Sequence, residues 1–406
     1  MFSRFPGAFF SSFCTVTAAV LLASAAIAQS TDETLYTFSR SGPFPASKLT
    51  YGPSGRLFGT IYNGGGGKCA GGCGLVFELT PGSAGGWNYH TIFKFDGANG
   101  QGPIGTLMFD SAGNLYGTTD SGGRWGNVYK LTPSSSGQWT ETILYTFNGL
   151  TDASNPEAGV VMDSAGNLYG TALLGGPNSN GCVYKLTPNS DGSWSERNLL
   201  TFSGGHLAGS EAELVIDSAG NLYGTSAEGG TRSLGMVFEL SPNSDGSYTE
   251  TVIHNFVPPG GEIILTPLWM DSTGNLYGTT DTDSSTTGAG TVFELSRNSD
   301  GTWTNRIIYA FGVKPGDGVF PDSGLTPDSA GNLYGTTYKG GAFDAGTVFR
   351  LRLASNGKWS ESVIYSFTGG SDGGTPIAGA IPVRGHLYGS TEAGGTGGGV
   401  VYDITP

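Results

Sequence analysis

The tetrapeptide Leu-Tyr-Gly-Thr, or a near match, recurs seven times in this chain. The copies start at Leu57, Leu115, Leu168, Leu222, Leu276, Leu333 and Leu387, with gaps of 58, 53, 54, 54, 57 and 54 residues. A period of that length restricts the fold to stacked or radial repeats of one supersecondary unit. Each unit reads as four short strands. In one copy these are the apolar run 159–163, the run 168–171, Val183–Leu186 and the stretch 198–202, joined by Gly-, Asn- and Asp-rich turns of the hairpin kind. Four antiparallel strands per unit is the plan of a propeller blade. The chain ends then discriminate between an open stack and a closed ring. Residues 31–38 match the fourth strand of a unit, whereas the C-terminus stops after a third strand, 401–404. The first segment therefore supplies what the last blade lacks, which closes the ring and protects sheet edges. An open solenoid would instead want distinct capping units. The expected fold is all-β, a seven-bladed β-propeller of four-stranded blades, forming one domain over residues 29–406.

Most conspicuous residues belong to that scaffold. Each second strand carries an aromatic (Phe58, Tyr116, Tyr169, Tyr223, Tyr277, Tyr334, Tyr388), and each fourth strand ends in Phe (Phe38, Phe95, Phe147, Phe202, Phe256, Phe311, Phe367). Ring packing between blades accounts for them, because blades bury both faces. The turn Asp-Ser-Ala-Gly-Asn at Asp110, Asp163 and Asp217, with variants at Asp271 and Asp328, lacks the alternating oxygens and distal Glu of a calcium loop. It reads as a tight turn capped by Asp and Asn.

Residues 1–28 read as a secretory signal peptide: Arg4, an apolar stretch densest at 18–26, and Ala26-Ile27-Ala28 before cleavage at Gln29. Pro6, Gly7 and several Ser interrupt the apolar span, and no later segment is long enough to cross a bilayer. A secreted or periplasmic location follows. The formal net charge is −14, and loss of Arg4 makes it more negative still. Such a surface is poorly suited to nucleic acid. Cys69 and Cys73 are expected to close a small disulfide loop. The rival, metal binding, finds no CxxC partner and no nearby His, and Cys182 is left as a small buried hydrophobe. The four His residues (His90, His206, His254, His386) form no metal-ligand spacing, and no Gly-x-Ser-x-Gly elbow is present. Neither a cofactor nor a metal is expected.

Gly274–Thr280, Gly290–Leu295 and Trp139–Phe147 carry a recognisable pattern: Gly-Asn-Leu-Tyr-Gly-Thr-Thr, then Gly-Thr-Val-Phe-Glu-Leu, then Trp-Thr-Glu-Thr-Ile-Leu-Tyr-Thr-Phe. It resembles the tandem GloVer-type repeats of secreted bacterial proteins over essentially all of residues 31–406. The Asp-x-x-Gly-Asn turn is more loosely similar to NHL and other sensor-type propellers. The resemblance implies an exported propeller and no particular chemistry. Relatives can carry a C-terminal surface anchor; with no sorting tail before Pro406, covalent anchoring is not expected.

Function is expected where the copies diverge, on loops held by the rigid ring. Loops after the second strand place Tyr62, Asp120, Leu173, Ala227, Asp281, Tyr338 and Glu392 on one face, with Trp125 in the same loop class. Loops after the fourth strand add Asp152, Glu157, Asp317 and Asp372. Aromatic rings beside carboxylates suit a sugar, whose apolar face stacks and whose hydroxyls donate. The leading expectation is a monomeric binding module for a glycan or protein partner. The alternatives are a carbohydrate-active enzyme using paired carboxylates, and a structural surface protein.

Overall fold

A computed structural model describes residues 30–39, 44–45, 47–83, 86–149, 151–202, 210, 212–227, 230–257, 264, 266–282 and 288–406. The proposed signal segment and His206 lie outside the described residues.

Seven four-stranded antiparallel sheets stand around an axis; in six the strands follow one another in sequence order, and the seventh is completed by the N-terminal strand. Blade 3 is representative: Val161–Met162, Leu168–Ala172, Cys182–Pro188 and Trp194–Thr201. The inner strand is only two residues long, shorter than the apolar run suggested. The second strand is buried along its whole length. Its glycine is required by close approach: a Cβ on Gly170 would fall 2.3 Å from the Tyr184 hydroxyl oxygen.

The ring closes as the chain ends implied. Thr31–Ser39 pairs antiparallel with Gly397–Thr405, from Thr31 opposite Thr405 to Ser39 opposite Gly397, and completes a sheet with Ile381–Val383 and His386–Ser390. This sheet is blade 7, and the blade beginning at Thr50–Tyr51 is blade 1. The core lies between blades. At every seam the terminal Phe of one blade meets the central aromatic of the next third strand, with centroids 4.9–5.7 Å apart: Phe95 on Tyr129, Phe147 on Tyr184, Phe202 on Phe238, Phe256 on Phe293, Phe311 on Phe349, Phe367 on Tyr402 and, across the closure, Phe38 on Phe77.

Every outer strand carries a register shift against its third strand, where an aliphatic residue such as Leu35, Leu144 or Ile253 is left unpaired and turned toward the seam core. Such bulges twist an exposed edge away from pairing with another sheet.

Candidate functional site: the axial cavity and its rim

The chain re-enters the centre of the ring just before each inner strand. In blades 2, 3, 6 and 7 it does so through Gly102-Pro103, Asn155-Pro156, Phe320-Pro321 and Thr375-Pro376, and the residue before proline holds a left-handed φ of 66°, 53°, 59° and 50°. For the three non-glycine residues this costs roughly 1–2 kcal/mol each. The turn delivers the next residues to the axis.

Segments from all seven blades line a cavity of about 290 Å³ on that axis. Its wall is mostly small or apolar: Ile104, Gly105, Ala158, Pro267, Gly324 and Ile377 are typical. Four charged side chains interrupt it, namely Lys48, Glu157, Glu213 and Asp322. Two of them reach past a neighbouring blade. Lys48, from blade 1, donates to Thr326 Oγ1 of blade 6 at 2.5 Å. Glu213, from blade 4, accepts from the Thr106 amide of blade 2 at 3.2 Å. Burial pushes the Lys48 ammonium below its ordinary value, opposed by the Glu213 charge.

Two groups of rim residues join this cavity. Asp281 lies within hydrogen-bonding reach of Asp322. Burial, that hydrogen bond and the neighbouring charge push Asp322 up to about 8, so the pair holds a proton near neutrality. On another side Tyr62 donates to Asp120, which also accepts from Ser121 Oγ at 2.6 Å. Phe44 stacks over Tyr62 at 6.2 Å. Burial raises both Asp120 and Tyr62, and the Glu157 charge adds to the effect on Tyr62. Gly102 makes room for this pair, since a Cβ there would fall 2.5 Å from Asp120 Oδ1.

The structure brings together Tyr62, Asp120, Glu157 and Asp281 from the sequence-derived set. Asp152, Asp317 and Asp372 are buried and tie down their own loops. Asp152 accepts from Tyr145 Oη and the Asn148 and Gly149 amides; Asp317 from Tyr309 Oη and the Val313 and Gly318 amides; Asp372 from Tyr365 Oη and from the amide and hydroxyl of Thr368. Trp125 is half-buried against Gly149, with Arg124 5.5 Å over its ring. Tyr338 and Glu392 are half-buried in the equivalent loops of blades 6 and 7. Cys69 and Cys73 form a disulfide beneath Gly97, and Cys182 is a buried free thiol. Lys48, Glu213 and Asp322 escaped the sequence reading. Their signal was available just before each inner strand: where Lys48 and Glu213 stand, the other copies carry Thr106, Gly159, Pro267, Gly324 and Gly379, and where Asp322 stands, two copies carry Ile104 and Ile377.

Among the described residues no group of three His, Cys, Asp or Glu side chains is arranged to hold a metal ion, and no helix is long and apolar enough to cross a membrane.

A profile of the Gloeobacter/Verrucomicrobia repeat matches residues 123–328 and 268–406. The chain belongs to this repeat family. No curated protein matches its sequence. Among solved structures, a surface component of the type IX secretion system of Porphyromonas gingivalis, PorZ, is similar at 14% identity and a TM-score of 0.52. The match covers 91% of this chain and 48% of that one. A protein of unknown function from Dyadobacter fermentans aligns at 11% identity and a TM-score of 0.47, over 92% and 96% of the two chains. At 14% identity the likeness to PorZ is one of fold. For this member of the repeat family, the axial cavity and its rim are the candidate site.

Proposed function

We propose that this repeat-family propeller is an exported binding module that takes a polar ligand, a saccharide unit or a basic side chain of a protein partner, at the axial cavity. One observation carries the reading. The blades repeat one scaffold, yet the cavity wall places three carboxylates and one ammonium among small and apolar residues. Carboxylates accept from hydroxyl or ammonium groups, Lys48 and Thr side chains donate, and Tyr62 with Phe44 offers an aromatic face. A cavity of about 290 Å³ is at the small end for ligand sites. That size suits one sugar ring or one side chain. The apolar leader supports export, and recovery of a chain beginning at Gln29 from the medium or periplasm is the expected result. The bulged outer strands support a monomer over an edge-to-edge assembly.

Titration calorimetry of the mature chain against a saccharide panel and Lys- or Arg-containing peptides tests the binding reading. The expected result is a ligand whose affinity drops by about tenfold or more in Glu157→Gln and Asp322→Asn, one charged contact each. A lack of binding to both panels at high protein concentration would overturn it.

The Asp281–Asp322 pair favours a second reading, acid–base catalysis, because one carboxyl keeps its proton near neutrality. The two carboxyls are closer than the ~5 Å or more that separates glycosidase pairs. A shared-proton dyad is therefore the form such chemistry would take. Turnover of a polysaccharide panel that vanishes in Asp281→Asn would support it; unchanged turnover in that variant would remove it.

A further inference from the structure

The seams between blades carry a second set of unusual carboxyls, at one equivalent position of the outer strand. Glu141 stands opposite Leu131, Glu196 opposite Leu186, Glu361 opposite Leu351 and Asp32 opposite Ile404. Each faces the loop that leaves the preceding blade. Each also has one buried oxygen with no hydrogen-bond partner: Glu141 Oε1, Glu196 Oε1, Glu361 Oε1 and Asp32 Oδ1. When the carboxyl ionises, that oxygen has lost its hydration and has no donor in its place.

The partners across each seam deepen the problem. Glu141 accepts from Asn99 at 3.0 Å and faces Asp96, with Tyr129 behind it. Glu196 faces Asp152, with Tyr145, Tyr184 and Cys182 around it. Asp32 faces Asp372, Asp403, Glu33, Tyr365 and Tyr402. In these three seams acid meets acid. Glu361 differs: its side chain is fully buried near Asp317 and Tyr309, but Lys314 reaches over and pairs with its other oxygen.

We propose that Glu141, Glu196 and Asp32 are proton-operated seam locks, which close three blade junctions when protonated and loosen them when ionised. The ring is thereby built to tighten in mildly acidic surroundings. Asp32 gives the device particular leverage, because it sits in the strand that closes the ring.

The direction of titration agrees. Burial, reinforced by the facing acid, pushes Glu141 and Glu196 up to about 7 and Asp32 to about 6. Hydrogen bonds from Asn99 and Tyr365 partly oppose this at Glu141 and Asp32. The folded chain thus keeps protons that the unfolded chain has released at the ordinary values of 4.5 for Glu and 3.8 for Asp. Folding takes up protons in that window, so stability falls as pH rises from about 4 to 7 and stays reduced above it. His254, at a further seam beside Asn305, is pushed down by burial and acts in the opposite sense near its ordinary 6.5. The channel's Asp322 acts in the same sense as the locks. Single substitutions are therefore needed to assign the effect.

The test is chemical unfolding of the mature chain from pH 5 to 8, for wild type, Glu141→Gln, Glu196→Gln and the double variant. The unfolding constant of wild type is expected to rise with pH, by up to about tenfold per unit for each fully coupled carboxyl. The double variant should lose much of that slope and exceed wild type in stability at pH 8. Lys314→Gln, which unmasks Glu361, should steepen the slope. Infrared spectra provide an independent reading: a protonated-carboxyl band that persists at pH 6 and shrinks in each Gln variant. Slopes equal in wild type and double variant, or no such band, would overturn the proposal.

Discussion

Two carboxyls in the same blade, Asp163 and Glu196, are both partly removed from water, yet the fold treats them in opposite ways. Asp163 accepts from the Ala165 and Asn167 amides, the Asn167 side chain and Tyr169 Oη, at 2.7–2.9 Å. Burial opposes its ionisation, but those donors outweigh it and hold the carboxyl below its ordinary value. Glu196 has a buried oxygen without a donor and faces Asp152, and it is pushed up to about 7. Burial alone therefore does not decide the state of a carboxyl; the donors around it do. The origin of those donors explains the contrast. Those of Asp163 lie within six residues, so every copied unit brings its own, and Asp110, Asp217, Asp271 and Asp328 repeat the arrangement. The surroundings of Glu196 are assembled from two units, and change whenever either one does.

The largest effect expected from this contrast comes from opening the ring. Removing residues 31–39 deletes the closing strand, with Asp32, and the Phe38–Phe77 contact. Truncation of Phe38 alone to Ala should cost about 3–5 kcal/mol, as for a fully packed core ring. The deletion should abolish the single cooperative transition, read by calorimetry. Turns such as Asp163–Asn167 depend only on their own blade, so hydrogen exchange should show them outlasting the seams near the break. A deletion chain that melts with the wild-type profile would show that closure contributes nothing.

Next in size is the turn itself. Asp163→Ala strips several donors of a charged acceptor and should cost about 1.5–3 kcal/mol at pH 7 in urea unfolding. Its pH dependence has the opposite sign to the seams. A carboxyl held low contributes stability that is present above its ordinary 3.8 and lost as pH falls through its folded value. The turn should therefore fail in strong acid, where the seam locks are closed. Loss of the same stability from Asp163→Ala and Glu196→Gln at pH 8 would erase the distinction between the two sites.

This division also governs what the chain discloses before it folds. The blade is legible because its contacts are copied: Leu-Tyr-Gly-Thr, the Asp-Gly-Asn turn and the terminal Phe recur at fixed spacing. Ring closure is legible because an orphan fourth strand at one end answers a missing one at the other. The site is less so. Asp281 and Glu157 were visible as departures in loops, but Lys48, Glu213 and Asp322 adjoin inner strands of only two residues, too short to show an alternating pattern. Asp152, Asp317 and Asp372 stood out as acids in divergent loops. Their buried hydrogen bonds to Tyr145, Tyr309 and Tyr365 depend on a fold-back that spacing does not reveal.

The smallest expected effect is at Tyr184, on the seam packed beside Glu196. The third-strand aromatic is Phe in four blades (Phe77, Phe238, Phe293, Phe349) and Tyr in three (Tyr129, Tyr184, Tyr402). All seven rings are fully buried. None of the three phenol oxygens has a hydrogen-bond partner. The ring alone thus accounts for the packing, and the hydroxyl brings a desolvation cost without a bond to offset it. Tyr184→Phe should leave stability unchanged or raise it by about 1 kcal/mol, the lower part of the range for an unsatisfied buried group. It also removes a hydroxyl near Glu196 without touching that carboxyl. The slope of stability against pH should therefore survive in Tyr184→Phe and diminish in Glu196→Gln. A slope that vanished in the Phe variant would move the proton-sensitive group of this seam from the glutamate to the phenol.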